Sequence, residues 1–217
     1  MSLTTPPLAP LLDRLFSEAE APASPATRSA LRASADRRGS TTTPDYLEFY
    51  VRAKDVYLAV SRETARLLYM LVRSTRARSI VEFGTSFGIS TLHLAAGVRD
   101  NGGGRLITTE FEPSKAARAR ENFVAGGLAD LIELREGDAV ETLSRDLPAQ
   151  IDVALLDGAK GLYPVVLTLL EERLAPGALI IADNADSSPE YLERVRTPAH
   201  GYTSVPFGGD VELSMRN

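Results

Sequence analysis

Apolar residues recur at helical spacing in the first third of the chain and in short blocks thereafter, and the rhythm changes near Ser79. Two early helical patterns, Leu8 to Glu20 and Pro25 to Arg38, are broken by Ala21-Pro22 and ended at Gly39, in a stretch rich in Ala, Pro, Ser and Arg. Residues 1–40 therefore read as a helical appendage and residues 41–217 as one domain. A further segment opens at Thr43-Pro44-Asp45 and runs through Lys54. Ser61-x-x-Thr64 then starts a helix whose Ala65, Leu68, Leu71 and Val72 form a face suited to packing on a sheet.

From Ser79 onward, apolar strand-length blocks alternate with amphipathic runs. The predicted strands are Ser79–Phe83, Arg105–Glu110, Leu131–Arg135, Ile151–Asp157 and Ala178–Asp183. The predicted helices between and after them are Ile89–Val98, Pro113–Ala125, Val140–Arg145, Tyr163–Leu174 and Pro189–Arg196. Regular alternation of this kind specifies an α/β domain with a doubly wound parallel sheet. Tyr202–Pro206 and Val211–Arg216, joined by Phe207-Gly208-Gly209-Asp210, add a closing antiparallel hairpin and bring the sheet to seven strands, mostly parallel.

Composition narrows the function classes. The 217 residues are 44% hydrophobic and 24% charged, ordinary for a globular protein. A net charge of −5 gives no broad basic face for a phosphate backbone, which counts against nucleic acid as a partner. With no cysteine, disulfides, thiolate nucleophiles and zinc–cysteine sites are excluded together. No run of about 18 apolar residues occurs and Met1–Pro10 lacks a signal-peptide pattern, so the expectation is a soluble cytoplasmic protein without a membrane partner.

Candidate chemistry lies at the predicted strand ends, where an open α/β sheet binds its ligands. Val81-Glu82-Phe83-Gly84-Thr85-Ser86-Phe87-Gly88-Ile89-Ser90 spans the first strand-to-helix turn, and its glycines let backbone approach a ligand. The spacing is G-x-x-x-G, not the G-x-G-x-x-G of dinucleotide sites, and Glu82 suits a cationic amino-acid moiety better than a pyrophosphate. Glu110 ends the second strand, where a carboxylate accepts ribose hydroxyls, and Asp138 with Ala139 follows the third, where it meets an adenine edge or caps a helix. Asp157 ends the fourth strand and Asp183-Asn184 the fifth, so three oxygen ligands converge above the sheet in a set suited to a hard cation such as Mg²⁺, with Mn²⁺ or Ca²⁺ as substitutes. Each of these residues alone also reads as a cap or turn residue. His93 and His200 have no ligand-spaced partner and read as packing or surface residues.

These residues resemble the class I S-adenosylmethionine methyltransferases, which have a Rossmann-like fold, and within them the catechol and caffeoyl-CoA O-methyltransferases. The likeness runs from about Val60 to the C-terminus and is carried most specifically by Asp157-x-x-Lys160-x-x-Tyr163 and Ala182-Asp183-Asn184. The resemblance implies S-adenosylmethionine held by Val60, Glu82, Gly84, Ser86, Ser90, Glu110, Asp138, Ala139 and Asp157. It implies a divalent metal on Asp157, Asp183 and Asn184, with Lys160 as catalytic base beside Asp157. It further implies a hydroxylated small-molecule acceptor, typically a catechol, and a homodimer. Where the catechol enzymes carry a substrate-orienting carboxylate on the closing hairpin, Ser204-Val205-Pro206-Phe207 has none. The segment with Tyr46, Phe49, Tyr50 and Arg52 is expected to cover the acceptor site or to contact a second subunit. Competing readings are a tRNA hydroxyuridine O-methyltransferase, an NAD-dependent oxidoreductase on the same sheet, which has no use for Asp157, Asp183 and Asn184 together, and a non-catalytic binding protein.

Overall fold

The structure is a computed structural model that describes residues 1–22 and 43–217, with side chains for 1–22 and 48–217. The expected helix from Pro25 to Arg38, its stop at Gly39 and the side chain of Tyr46 lie outside the described residues. Among the described residues the order is α1 (Leu8–Glu20), α2 (Thr43–Arg52), α3 (Arg62–Thr75), β1 (Ser79–Phe83), α4 (Ile89–Asp100), β2 (Arg105–Glu110), α5 (Pro113–Ala125), β3 (Ile132–Glu136), α6 (Ala139–Thr142), β4 (Ile151–Leu156), α7 (Tyr163–Glu171), β5 (Leu174–Ala182), α8 (Pro189–Arg196), β6 (Tyr202–Phe207) and β7 (Val211–Arg216). Short 3₁₀ turns fill several of the connections.

The seven strands lie in the order β3-β2-β1-β4-β5-β7-β6. β1 to β5 pair in parallel, while β7 runs antiparallel to both β5 and β6. The order turns back between β1 and β4, the crevice at which doubly wound sheets bind ligands. The core strands are buried on both faces, so they read as continuous apolar runs: Ile80 and Val81 are both fully buried, yet belong to opposite core clusters.

One cluster joins α1, α3, α4 and the sheet, and the other joins α7, α8 and the opposite sheet face. α1, part of the expected appendage, places Leu8, Leu11, Leu12, Leu15 and Phe16 in the first of these. α3 starts as its sequence signals: Ser61 caps it by accepting from the Thr64 N–H at 3.0 Å, and Ala65, Leu68, Tyr69 and Val72 form its buried stripe. α4 is buried along Ile89–Val98 between α3 and the sheet, and Gly97 permits this, since a Cβ there would sit 2.6 Å from Val72.

Three predicted boundaries move by more than two residues. The helix expected over Val140–Arg145 is a single turn, Ala139–Thr142, because the Arg135 guanidinium draws off the carbonyls of Thr142, Arg145 and Asp146 at 2.6–2.9 Å. The helix expected to reach Leu174 ends at Glu171, and Leu174 opens β5 opposite Ile151, drawn into the sheet by the Ile151 N–H on the Arg173 carbonyl at 2.7 Å. The fifth strand thus begins at Leu174, ahead of the expected Ala178, with a register irregularity before Leu179.

Candidate active site

At the β1–β4 switch the chain has almost no room. Gly84 sits at φ +104°, and a Cβ there would lie 2.5 Å from the Asp157 carbonyl oxygen, so only glycine fits. The turn that follows directs backbone donors inward. Ser86, at φ +49°, donates its N–H to Glu110 Oε2 at 2.8 Å, and the Glu112 N–H donates to Oε1 at 2.9 Å. Burial raises the Glu110 carboxyl above the usual carboxylate range, opposed by these backbone donors and by Lys115. Asp138 caps α6, its Oδ1 accepting from the Val140 N–H at 2.7 Å, and also lines the cleft. Gly84, Ser86, Glu110, Asp138, Ala139 and Asp157 all line one cleft of about 70 Å³, walled by Phe83, Phe111 and Leu162.

Three predicted cofactor residues, Glu82, Ser90 and Val60, do not line that cleft. The Glu82 side chain is fully buried and accepts from Ser90 Oγ at 2.6 Å, Thr91 Oγ1 at 2.5 Å and Thr108 Oγ1 at 2.6 Å. Burial pushes its carboxyl up to about 7 despite the three donors. Ser90, tied to Glu82, lines the adjoining pocket with Gly84 and Ser86, and Glu82 reaches that pocket only through it. Val60 is packed into the core and borders a separate depression with Phe16, while Leu58 and Ala59 reach the pocket in its place.

On the other side of Asp157 lies a second cavity of about 250 Å³, lined by Asp157, Lys160, Asp183 and Asn184 with Tyr50 and Tyr57 opposite. Backbone bonds fix the strand ends: the Asp157 N–H donates to the Phe83 carbonyl at 2.8 Å, and that of Asp183 to the Leu156 carbonyl at 3.0 Å. Lys160 is 2% exposed and donates through Nζ to Asp157 Oδ1 at 2.9 Å and to the Tyr163 hydroxyl at 2.8 Å. Tyr163 in turn donates to the Asp183 carbonyl at 2.8 Å, and burial holds its hydroxyl well above its ordinary pKa. Asn184, at φ +50°, donates through Nδ2 to Asp210 Oδ2 at 2.6 Å. That bond turns the amide nitrogen toward the hairpin and the carbonyl oxygen away from it.

Among the described residues no three His, Cys, Asp or Glu side chains gather as a metal-holding group. The donors here are two carboxylates and one amide on a shared cavity, an all-oxygen set whose chemistry fits a hard divalent cation with open positions for further oxygen ligands.

A model described as a methyltransferase domain matches residues 81–185. A catechol O-methyltransferase of Niastella koreensis is 31% identical over 143 residues, 64% of each chain, and one of Mycobacterium tuberculosis is 32% identical over 58% of this chain and 57% of its own. The chain thus spans less than two thirds of either relative's length. In structure it is similar to the O-methyltransferase TomG of Streptomyces achromogenes, involved in tomaymycin synthesis and solved with S-adenosylmethionine, at TM-score 0.66 and 26% identity over 95% of this chain and 96% of that one. The chain therefore carries a methyltransferase domain over residues 81–185 and is similar to O-methyltransferases of the catechol type.

The structure adds contacts around the predicted site residues. Tyr163, present in the D-x-x-K-x-x-Y motif without a role, anchors Lys160. Asp210, from the hairpin turn, supplies a carboxylate at Asn184, although Ser204–Phe207 offers none. Lys115 lines the cleft beside Glu110, and Tyr50 lines both cleft and cavity, donating to the Gly158 carbonyl at 3.2 Å. The D-x-x-K-x-x-Y spacing was a signal for Tyr163, and Tyr50 lies in the segment expected to cover the acceptor site or contact a second subunit; nothing local marked Asp210 or Lys115.

Proposed function

We propose that this protein transfers a methyl group from S-adenosylmethionine to a hydroxyl of a small molecule, with a divalent cation held by Asp157, Asp183 and Asn184. The preferred acceptor is a vicinal-diol phenolic such as a catechol. The observation that carries this reading is the shared wall of the two cavities: Asp157 lines the cleft with Gly84, Ser86 and Glu110, and also the cavity with Lys160, Asp183 and Asn184.

In this reading Glu110 accepts the ribose hydroxyls, and Asp138 with Ala139 borders the adenine. Glu82 orients the Ser90 hydroxyl, whose oxygen then faces the methionine end of the cofactor. The cofactor supplies an electrophilic methyl on a sulfonium, so the chain's task is to place the acceptor oxygen in line and keep water out. The cation, most simply Mg²⁺ with Mn²⁺ or Ca²⁺ as substitutes, supplies Lewis acidity that lowers the pKa of a bound hydroxyl. Lys160 would receive the departing proton at Nζ in its neutral amine form, having first released a proton of its own, with Tyr163 and Asp157 accepting its remaining N–H donors and holding it in place. Tyr50 and Tyr57 close the acceptor side with aromatic faces suited to a planar ring. The reading extends to a cytoplasmic homodimer on the family resemblance alone; among the described residues no helix is long and apolar enough to cross a membrane.

The test is methyl transfer from S-adenosylmethionine to catechols and other phenolics with Mg²⁺ and with excess EDTA. The expected outcome is transfer to a vicinal diol that stops on chelation. Activity that survives thorough chelation contradicts the metal role, and transfer to undermethylated tRNA in place of phenolics favours the tRNA reading.

A further inference from the structure

Among the described residues two lysines are buried, and their surroundings differ. Lys160, 2% exposed, spends its ammonium on Asp157 and Tyr163. Lys115, 3% exposed and in the first turn of α5, has no hydrogen bond from Nζ to any described residue. Its own N–H is used in capping, donating to Glu112 Oε2 at 2.9 Å. Its ammonium lies 5.3 Å from the centroid of the Phe87 ring and feels the charges of Glu110, Glu112, Asp157 and Asp55. Burial lowers its pKa against the pull of these carboxylates. The side chain lines the same cleft as Glu110, Ser86 and Asp157. An ammonium held mostly out of water at the wall of a cleft, with no hydrogen bond of its own to a described residue, gains a partner when a ligand brings an acceptor into reach.

Resting on the S-adenosylmethionine reading of this cleft, we propose that Lys115 is a cofactor-recognition residue, the donor half of a ribose clamp whose acceptor half is Glu110. The chemistry is complementary. An ionised carboxylate only accepts and an ammonium only donates, whereas each ribose hydroxyl does both. The vicinal diol therefore gives its protons to Glu110 while one of its oxygens accepts from Lys115. The rival role, charge balance for Glu110 and Asp157 without ligand contact, makes different predictions about which ligand atoms matter.

The test is calorimetric titration of S-adenosylhomocysteine and its 2′-deoxy and 3′-deoxy analogues into the full chain, as wild type, Lys115→Met and Lys115→Gln. Lys115→Met is expected to weaken S-adenosylhomocysteine about tenfold or more, the range for losing a hydrogen bond to a charged group. One deoxy analogue is expected to bind wild type at least about tenfold more weakly than the parent, and to pay a clearly smaller factor in the variant, where only its bond to Glu110 is left to lose, the signature of a coupled pair. Unchanged parent affinity in a folded variant overturns the proposal. So does a parallel loss, in which wild type and variant pay the same factor for each missing hydroxyl. If the Met variant does not fold, Lys115→Gln carries the same comparison, and a wild type that binds both deoxy analogues as tightly as the parent overturns the proposal without any variant. A folded wild type that binds none of the three overturns the cofactor reading itself, a result distinct from an intact parent affinity that is indifferent to Lys115.

Discussion

The two halves of the strand-end row are built by different means. Around β1 to β3 the geometry is set by main chain: Gly84 against the Asp157 carbonyl, the Ser86 and Glu112 N–H groups on Glu110, and the Gly137 N–H on the Glu110 carbonyl at 2.9 Å. Around β4 and β5 the backbone places the residues, but their functional ends are held by other side chains: Lys160 by Asp157 and Tyr163, and Asn184 by Asp210. The first arrangement is a preformed socket, because its donors cannot move without moving the sheet. The second is a network of side chains, which under the proposed function would adjust when a cation and an acceptor bring new oxygen atoms. That function therefore has a rigid cofactor half and an adjustable acceptor half.

The largest effect expected lies on the adjustable side. Lys160→Ala removes the proposed base and should lower kcat by about 10²- to 10⁴-fold, roughly 3–5 kcal/mol, while S-adenosylhomocysteine affinity stays within about twofold. Steady-state kinetics paired with calorimetry checks this, and an unchanged kcat removes the assignment. Gly84→Ala attacks the rigid side. A Cβ at 2.5 Å from backbone with φ at +104° should cost about 3 kcal/mol or more in denaturant unfolding and weaken cofactor binding with it. A wild-type unfolding midpoint for this variant breaks the claim that sterics lock the switch point.

Glu82 sharpens the comparison through pH. Its carboxyl rises from an ordinary 4.5 to about 7 in the fold, so the native state holds a proton that the unfolded state has released between those values. Its contribution is therefore fully present below pH 4.5 and is lost as pH rises through 7, amounting to about 3 kcal/mol for a shift of this size. Measured by urea unfolding at pH 4.5 and pH 8, Glu82→Gln should gain on wild type by about that amount over the interval. Parallel pH profiles for the two proteins contradict a buried, partly protonated Glu82. The smallest effect belongs to Asp210, which touches the cation site only through Asn184. Asp210→Ala should weaken Mn²⁺ binding about tenfold, followed by electron paramagnetic resonance of free Mn²⁺, as expected when a ligand loses the partner that orients it. Undiminished Mn²⁺ affinity shows that Asn184 needs no such support.

The same division explains what the sequence made legible. Strand ends, the Gly84 turn and the spacing of Asp157, Lys160 and Asp183 are consequences of short-range pattern, and every predicted strand formed with its boundaries moved by at most a few residues. The misses need long-range partners. The Asn184–Asp210 bond joins a strand end to a hairpin tip, and α6 ends early because Arg135, on β3, competes for its carbonyls. Glu82 was expected beside a cationic amino-acid moiety from its strand-end position; its burial was not legible, because its register partner Thr108 and the first-turn hydroxyls of Ser90 and Thr91 enclose it. No local pattern announces that three hydroxyls from two other elements will converge on one carboxylate.

The central claim is that the β1–β3 half is a preformed site for the sulfonium cofactor and not for a dinucleotide. Thermal unfolding of the wild type with saturating S-adenosylhomocysteine or NAD tests it directly, because a ligand at about 100 times its Kd adds about 2.7 kcal/mol to native stability. For a chain of this size that corresponds to a rise in Tm of about 5–10 °C. The account predicts such a rise with S-adenosylhomocysteine, in the absence of any divalent metal, and none with NAD; a rise with NAD and none with S-adenosylhomocysteine would contradict it.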